Sequence, residues 1–221
     1  MPVELDLAGS IRLSSLSPLT RAPNIVGLYV FSCPRLADVE GLQTMTGLEV
    51  IMLDDCQSLT HLDGLRGITS LKMLWLASCQ NLLNIDGLTG IVSLEHLWLS
   101  GCTKLRSLNG LRGMSQLEGL YANDCGSMRN LKGLTEISNL QELWLKKNPH
   151  ISNTTILQHM TQLEQLHLAS CQQLSEIKAL HRLRKLRNIN VIDCPISSEQ
   201  LAQLRQDLPH TRITASTQSA K

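Results

Sequence analysis

The chain is organised by a short internal repeat. The stretch from Leu94 to Gln116, LEHLWLSGCTKLRSLNGLRGMSQ, is closely matched by the segment at 71–93 and by the segment at 48–70. A fixed period of this length is typical of a solenoid, in which each repeat can bury its apolar side chains only against its neighbours. Extended in equal steps, the pattern places the repeat starts at 2, 25, 48, 71, 94, 117, 140, 163 and 186.

Apolar residues recur at fixed positions within the repeat. In the repeat that begins at Leu94, positions 4 and 6 are Leu97 and Leu99, and the other repeats carry aliphatic residues there. This alternation predicts a short strand with one buried face, with positions 3, 5 and 7 on the opposite face. Position 9 is Cys or Asn in every repeat except the first, where it is Ser10.

The pattern LxxLxLxxN/C resembles the leucine-rich repeat superfamily over about residues 2–214. The resemblance implies an α/β solenoid, a horseshoe of about nine repeats with a concave parallel β-sheet. We expect a mostly irregular or 3-10 convex side, with short helices in the later repeats. Position 17 is glycine in repeats two to six, which indicates a turn or a close backbone approach.

Two repeats depart from the pattern near the C-terminal end. In the seventh, Ser152 or Asn153 is a candidate cap for a true helix. In the ninth, leucines at helical spacing follow Ser197 and Ser198, and a last strand is predicted over 211–214. We therefore expect a single repeat domain over residues 1–214, with a C-terminal cap at about 195–214, and a flexible tail over 215–221.

The composition limits the kinds of partner that this protein can bind and the compartment in which we expect it. The formal net charge is +1, which gives no broad attraction to nucleic acid or to a membrane surface. No apolar run approaches the roughly 18 residues of a membrane span, and the first residues lack the pattern of a secretory signal. All seven cysteines fall at position 9, where the repeat family turns Asn or Cys inward to bond loop backbone. An odd set of buried thiols fits a reducing compartment, so we expect a cytoplasmic or nuclear protein that is not secreted.

Residues that could carry chemistry form no arrangement that predicts catalysis, a metal site or a cofactor. A zinc site needs local Cys or Cys/His pairs, and none is present in the sequence. Asp54 and Asp55 are interpreted as a solvated acidic rim. The basic cluster at 181–187 has two interpretations: a solvated convex surface, or a contact for an anion, a nucleic acid or a second partner.

Every tryptophan and tyrosine of the chain falls at position 5. There are three Trp and two Tyr, and the single Phe occupies position 7 on the same face. The predicted core is aliphatic, so core formation does not require this placement. The predicted partner-binding residues are Tyr29, Phe31, Met52, Met73, Trp75, His96, Trp98, Tyr121, Trp144 and His167.

This aromatic row has two interpretations. Trp, Tyr and Met are enriched at protein interfaces and hot spots, and acidic residues such as Glu49, Glu95 and Glu118 would form a polar rim. Alternatively, the rings only stack on one another across strands and stiffen the sheet. The first interpretation predicts a binding face, and the second predicts a structural row.

We expect a non-catalytic adaptor or scaffold that holds a protein partner on its concave aromatic face. The aromatic and acidic face also resembles the leucine-rich regulators of protein phosphatase-1, which implies a regulatory subunit of a protein phosphatase as an alternative. The repeat style is similar to that of short leucine-rich proteins of trypanosomatid protozoa. A further alternative is a structural subunit of a large cytoskeletal, axonemal or ribonucleoprotein assembly. The identity of the partner and the oligomeric state stay open.

Overall fold

The repeats hydrogen-bond side by side into one parallel sheet, in chain order from first strand to last. The computed structural model describes residues 1–22 and 24–216. Side chains that are 23 residues apart in the sequence, such as Lys72 and Glu49, thereby become neighbours in space. Nine predicted repeats and the C-terminal cap account for the strands, because the cap contributes the tenth. The strands among the described residues are β1 (Val3–Asp6), β2 (Ile25–Tyr29), β3 (Val50–Met52), β4 (Met73–Trp75), β5 (His96–Trp98), β6 (Gly119–Tyr121), β7 (Glu142–Trp144), β8 (Gln165–His167), β9 (Asn188–Val191) and β10 (Arg212–Ala215).

The core lies between this sheet and the returning part of each repeat. Positions 4 and 6 point inward, so that Leu97 and Leu99 are fully buried and stack on their equivalents one repeat away. Full burial of such a side chain stabilises the fold by about 1.5–3 kcal/mol. Because each repeat shares its apolar side chains with two neighbours, the predicted α/β solenoid is confirmed.

The segments that return the chain from one strand to the next contain short 3-10 helices, which agrees with the irregular or 3-10 convex side that was predicted. They connect each strand to the next on the side opposite the exposed sheet face. The later ones are longer, with five residues each. The 3-10 helices are Ser17–Arg21, Leu42–Thr44, Asp63–Leu65, Asp86–Leu88, Asn109–Leu111, Lys132–Leu134, Thr155–His159 and Lys178–Arg182.

The helix predicted in the seventh repeat is a 3-10 helix that begins at Thr155, and the Thr154 side chain makes no capping hydrogen bond. The Asn153 side chain accepts a hydrogen bond from the Thr155 N–H at 3.2 Å. Asn153 also forms an isolated parallel bridge with Glu176 of the next repeat. Pairing of this segment with its neighbour holds it in the repeat geometry, so neither Ser152 nor Asn153 caps an α-helix.

The C-terminal cap contains the one α-helix of the described residues, α1 (Ser198–Asp207). Ser197 is its N-cap, and a reciprocal hydrogen bond with Gln200 completes a capping box. The chain then returns to pair β10 with β9. Strand β10 includes Ala215, and the Ser216 hydroxyl bonds Asp193, so ordered pairing extends into the segment predicted as a tail. Residues 217–221 of that prediction lie outside the described residues.

A ladder of side chains at position 9 ties each repeat to the one before it. The Cys102 thiol donates to the Leu76 carbonyl at 3.1 Å, and the other six cysteines make the same contact at 3.0–3.4 Å. Asn148 occupies the same place and donates to the Ala122 carbonyl at 2.8 Å. All seven cysteines are free thiols, and the inward-turning role expected of position 9 is confirmed.

Position 8 of the repeat adopts a left-handed backbone, which the sequence pattern did not predict. From Gly9 to Asp193, φ at this position lies between 55° and 80° in all nine repeats. Eight of these nine turns continue the sheet hydrogen bonds, since Ser78 N–H, for example, donates to the Ser100 carbonyl. The residues range from Gly101 to Lys147, so residue type gives little signal here.

Glycine at position 17 is required by a close approach of backbones. A Cβ on Gly110 would lie 1.9 Å from the Ile85 carbonyl oxygen, and Gly64, Gly87 and Gly133 face the equivalent oxygen at 1.9–2.1 Å. These distances are far below a van der Waals contact. The close approach expected from the sequence is therefore confirmed, and it sets the spacing of the returning segments.

We predict that Gly110→Ala destabilises the protein by more than about 2 kcal/mol, because the new methyl group overlaps a backbone carbonyl that cannot move independently. Urea unfolding followed by circular dichroism measures the change. Gly126→Ala is the matched control, since its Cβ would meet open space and should change stability by no more than about 0.5 kcal/mol. Equal stability of Gly110→Ala and wild type would contradict the packing described.

We also predict that the buried thiols resist alkylation in the native protein. Burial raises the pKa of Cys79, Cys125 and Cys171 to about 12, so little thiolate forms at pH 8. Labelling by a thiol reagent should be at least about 100-fold slower than in urea, where all seven cysteines react. Half-buried Cys194 should react first. Rapid native labelling of Cys102, read by mass spectrometry, would contradict this expectation.

Candidate binding surface

The parallel register brings the position-5 side chains of seven repeats into one row on the solvent face of the sheet. Successive strands pair residue by residue at this position, as in Trp75 with Trp98 and Trp98 with Tyr121. The strands are about 4.8 Å apart, so the row is about 29 Å long. We call this row the aromatic stripe, and it comprises Tyr29, Met52, Trp75, Trp98, Tyr121, Trp144 and His167.

Position 5 is the last strand residue of β3 to β8. The assigned strands cover positions 3 to 5, and the left-handed residue at position 8 then turns the chain away. The stripe therefore runs along the carboxyl edge of the strands. The loops that follow the strands include Phe31, which is 39% exposed.

The rings of the stripe stack on one another. Trp75 and Trp98 have centroids 4.1 Å apart and planes within 3°, and Trp98 and Tyr121 are 5.1 Å apart and within 5°. Tyr121 and Trp144 are tilted by 50° at 5.9 Å, which breaks the parallel stack. Trp144 then packs against His167 at 4.1 Å. The stacking interpretation is thus correct as geometry, and each pair of this kind adds about 0.5–1.5 kcal/mol.

Both tyrosines lie over a glycine two residues earlier in the same strand. A Cβ on Gly119 would be 3.1 Å from the Tyr121 hydroxyl, and one on Gly27 would be 3.4 Å from the Tyr29 hydroxyl. The Tyr121 ring therefore leans towards the amino edge of the sheet, where its hydroxyl donates to Glu142 at 2.9 Å. The signal in the sequence was the repeated tripeptide GLY, at 27–29 and at 119–121, and its meaning appears only in the structure.

The two histidines of the predicted site occupy different surroundings. His96 lies at position 3 beside Trp98, with ring centroids 5.7 Å apart, and it uses the space left by Gly119. His167 ends the stripe, and burial together with the nearby Lys146 ammonium lowers its pKa. It is therefore neutral near pH 7, which allows it to pack on Trp144 without bringing a charge into the apolar row.

The remaining predicted residues also lie on this face. Met52 continues the stripe between Tyr29 and Trp75, and Met73 is paired in register with His96 at position 3. All members of the stripe are partly exposed, neither buried nor fully open. Nine of the ten predicted residues therefore occupy strand positions 3 and 5 on one side of the sheet, Phe31 lies in the loop after β2, and stacking leaves each ring with surface that solvent still reaches.

Two grooves lie on the opposite side of the molecule. The larger, of about 810 Å³, is bounded by the 3-10 helices at 155–159 and 178–182 and by α1. The smaller, of about 340 Å³, lies between 129–135 and 151–159. Both occur beside repeats in which position 17 is Ile156 or Ala179 in place of glycine.

The basic cluster at 181–187 is largely engaged within the protein. His181 contacts the Asp207 carboxylate, and Arg184 donates to the Asp207 backbone carbonyl. Lys185 bonds Gln162, and Arg187 pairs with Glu164 at 3.2 Å. The contacts to Asp207 join the cap to the eighth repeat, and the other two join neighbouring repeats, so several of the charges that could meet an anion already have partners.

In residues 1–22 and 24–216, no group of three or more His, Cys, Asp or Glu side chains is placed to hold a metal ion. Within the same ranges, no helix is long and apolar enough to cross a membrane.

We predict an unusually weak acid at Tyr121. Burial and then the hydrogen bond to Glu142 raise its pKa to about 12, from a usual value near 10. In the Tyr29→Phe variant, where Tyr121 is the sole tyrosine, tyrosinate absorbance should therefore rise near pH 12. Stabilisation from this group is complete below about pH 10 and is lost as the pH rises towards 12. Glu142→Gln should lower this pKa, and a midpoint near 10 in the folded protein would contradict the contact.

Comparisons with known proteins agree with the geometry. A family model described as leucine-rich repeats in two copies matches residues 69–113. The solved structure of internalin C2 from Listeria monocytogenes is 26% identical, with a TM-score of 0.67, over 82% of this chain and 76% of that one. An internalin (inlF) structure from the same organism is 18% identical, with a TM-score of 0.45, over 92% of this chain and 72% of that one. The search of curated proteins gives no match.

The period, the ladder at position 9, the family match over residues 69–113 and the similarity to internalin C2 lead to the same conclusion. The sequence pattern LxxLxLxxN/C recurs at each strand, and its cysteines make the inward hydrogen bonds that the pattern implies. The parallel sheet in chain order is the arrangement expected of such repeats. The chain is a leucine-rich repeat protein.

Proposed function

We propose that this protein is a non-catalytic interaction module, an adaptor or scaffold, that binds a protein partner through the aromatic stripe. Leucine-rich repeat proteins commonly mediate protein–protein interactions, and the fold is typically non-catalytic. One observation carries the proposal for this chain: all of its tryptophan and tyrosine residues lie in a single row on the solvent face of the sheet. No cofactor or metal enters this proposal.

The physical argument concerns the cost of leaving such a row in water. A Trp or Tyr side chain offers about 150–250 Å² of surface, and a soluble monomer rarely exposes more than a few hundred Å² of contiguous apolar surface. Parallel stacking covers the faces of Trp98 and leaves ring edges in contact with solvent. A partner that covers these edges gains the area that stacking cannot bury. Trp and Tyr also dominate the binding energy at the centres of interfaces.

A structural subunit of a large assembly is the second candidate. It is supported by the first repeat, whose outer side leaves Val3 41% and Ile11 68% exposed. A terminal repeat normally presents a polar outer face, so this end would gain stability from a neighbour. Size-exclusion chromatography of lysate, with and without nuclease, distinguishes a large ribonucleoprotein or cytoskeletal particle from a binary complex.

Regulation of a protein phosphatase is the narrower form of the first candidate. An acidic rim beside aromatic residues is the feature shared with the phosphatase-1 regulators. Inhibition of a purified phosphatase by this protein, and relief of that inhibition by substitution of the stripe, would support it.

For the location we propose the cytoplasm or the nucleus. Seven free cysteines in one ladder favour a reducing compartment, because thiols one strand apart are exposed to oxidation during folding elsewhere. Fractionation of cells that express the tagged protein tests this placement.

We predict that Trp75→Ala combined with Trp98→Ala reduces partner recovery in affinity capture by at least about tenfold, since two central anchors are removed. Quantitative mass spectrometry of the captured proteins measures the loss. The variant should still unfold cooperatively, because both side chains are outside the core.

The matched control for that experiment is Leu83→Ala combined with Val92→Ala. These residues are 40% and 50% exposed on the side away from the sheet, so the control removes exposed apolar surface elsewhere. Partner recovery should be unchanged. Normal capture by the tryptophan variant, or equal loss in both variants, would contradict a specific role of the stripe.

A further inference from the structure

Charge is segregated between the two sides of repeats three to six. Over residues 48–139, positions 2, 3, 5, 7 and 8, which surround the stripe, hold six acidic residues and one basic residue. The other positions of the same four repeats hold three acidic and six basic residues. The chain as a whole has a net charge of only +1, so the acidity belongs to this face and is not a property of the composition. The six acidic residues are Glu49, Asp54, Asp55, Glu95, Glu118 and Asp124.

Several of these carboxylates are not neutralised within the protein. Lys72, the one basic residue of the set, pairs with Glu49 at 2.8 Å. Among the described residues, the side chains of Glu95, Glu118 and Asp124 make no hydrogen bond and no ion pair closer than 4 Å. Both Glu118 and Asp124 are exposed, one on each side of Tyr121. The central repeats therefore offer unpaired negative charge on both borders of the apolar row.

The stacked rings decide where a positive charge can bind. The two faces of Trp98 are covered by Trp75 and Tyr121, so neither face is open to a cation. The solvent-facing side of the stripe instead presents ring edges, which carry the positive end of the aromatic quadrupole. A cation is therefore favoured beside the carboxylates and disfavoured over the central rings, whereas aliphatic groups can pack on the ring edges.

We propose that the partner segment bound by repeats three to six is cationic and amphipathic, with an apolar strip on the stripe and Lys or Arg residues flanking it. This inference rests on the proposed interaction function and gives the chemistry of the partner. Complementary charge also speeds association and rejects partners of the wrong sign. The same field opposes nucleic acid and anionic lipid on this face.

The seventh repeat determines where the positively charged part of the partner segment should end. Lys146 lies over the Trp144 ring at 4.6 Å from its centroid and takes the place that a partner cation would occupy. Lys147 follows it at the left-handed position 8 and is exposed. The basic residues of the partner should therefore lie over repeats three to six, with neutral or acidic residues beside repeat seven.

A defined peptide tests the proposal directly. A helix of about 12 residues is about 18 Å long, which spans four strands at about 4.8 Å. The probe is a synthetic peptide of this length with leucine on one helical face and lysine on the other. Two comparison peptides replace lysine with glutamate, or leucine with serine. Because every Trp belongs to the stripe, tryptophan fluorescence reports binding at the site, and calorimetry gives the affinity.

At physiological salt, the leucine–lysine peptide should bind the full-length protein at least about tenfold more tightly than either comparison peptide. Glu95→Lys combined with Glu118→Lys should weaken this binding at least about tenfold. The matched control is Asp86→Lys combined with Glu136→Lys, which makes the same change of net charge at exposed positions away from the sheet. Its affinity should remain within about threefold of wild type.

Three outcomes would overturn the inference: equal affinity for the glutamate peptide, no effect of the Glu95 and Glu118 substitutions, or an equal loss in the Asp86 and Glu136 control. A captured protein partner that depends on Trp75 and Trp98 but is retained by the Glu95 and Glu118 variant would leave the interaction function intact and reject only the cationic chemistry. Loss of tryptophan dependence would instead reject the interaction function itself.

Discussion

The hydrogen bond from position 9 to the preceding repeat is the contact on which the rest of the structure depends. Cys102 reaches back 26 residues to the Leu76 carbonyl, and every repeat from the second onwards repeats the contact with Cys or Asn. A thiol is a weak donor, and the Leu76 carbonyl also accepts from the Cys79 backbone N–H, so each contact adds only about 0.5–1.5 kcal/mol, but the contact recurs along the whole solenoid. The ladder therefore holds neighbouring repeats in one register, and that register aligns position 5 across seven strands.

Constant spacing made much of the fold predictable from the sequence. The fixed period determines which side chains are neighbours, so the buried leucines, the Cys ladder and the close approach at Gly110 all followed from one alignment. The left-handed position 8 did not follow, because residues as different as Gly101 and Lys147 occupy it and tertiary hydrogen bonds impose the conformation. The seventh-repeat helix was wrong for the same reason: pairing of Asn153 with Glu176 outweighed a local capping signal.

The binding surface was predictable in membership but not in orientation. Strand alternation places nine of the ten predicted residues on one face, and Phe31 follows in the loop after β2, yet alternation does not say how a ring leans. Tyr121 lies towards Glu142 because Gly119 leaves room for it, and its ring is tilted by 50° from that of Trp144. The nearly parallel stack is therefore confined to Trp75, Trp98 and Tyr121, which are the rings bordered by the acidic residues of the central repeats.

Stacking and binding are complementary uses of the same rings. Stacking saturates the ring faces and holds the side chains in fixed orientations, so a partner loses little additional side-chain entropy when it docks. It also removes the faces as cation sites, and this transfers the recognition of charge to the carboxylates on either side. A row of isolated aromatic residues would attract cations to its centre. The stacked row instead separates apolar contact in the middle from ionic contact at the borders, and a partner must match that separation to bind.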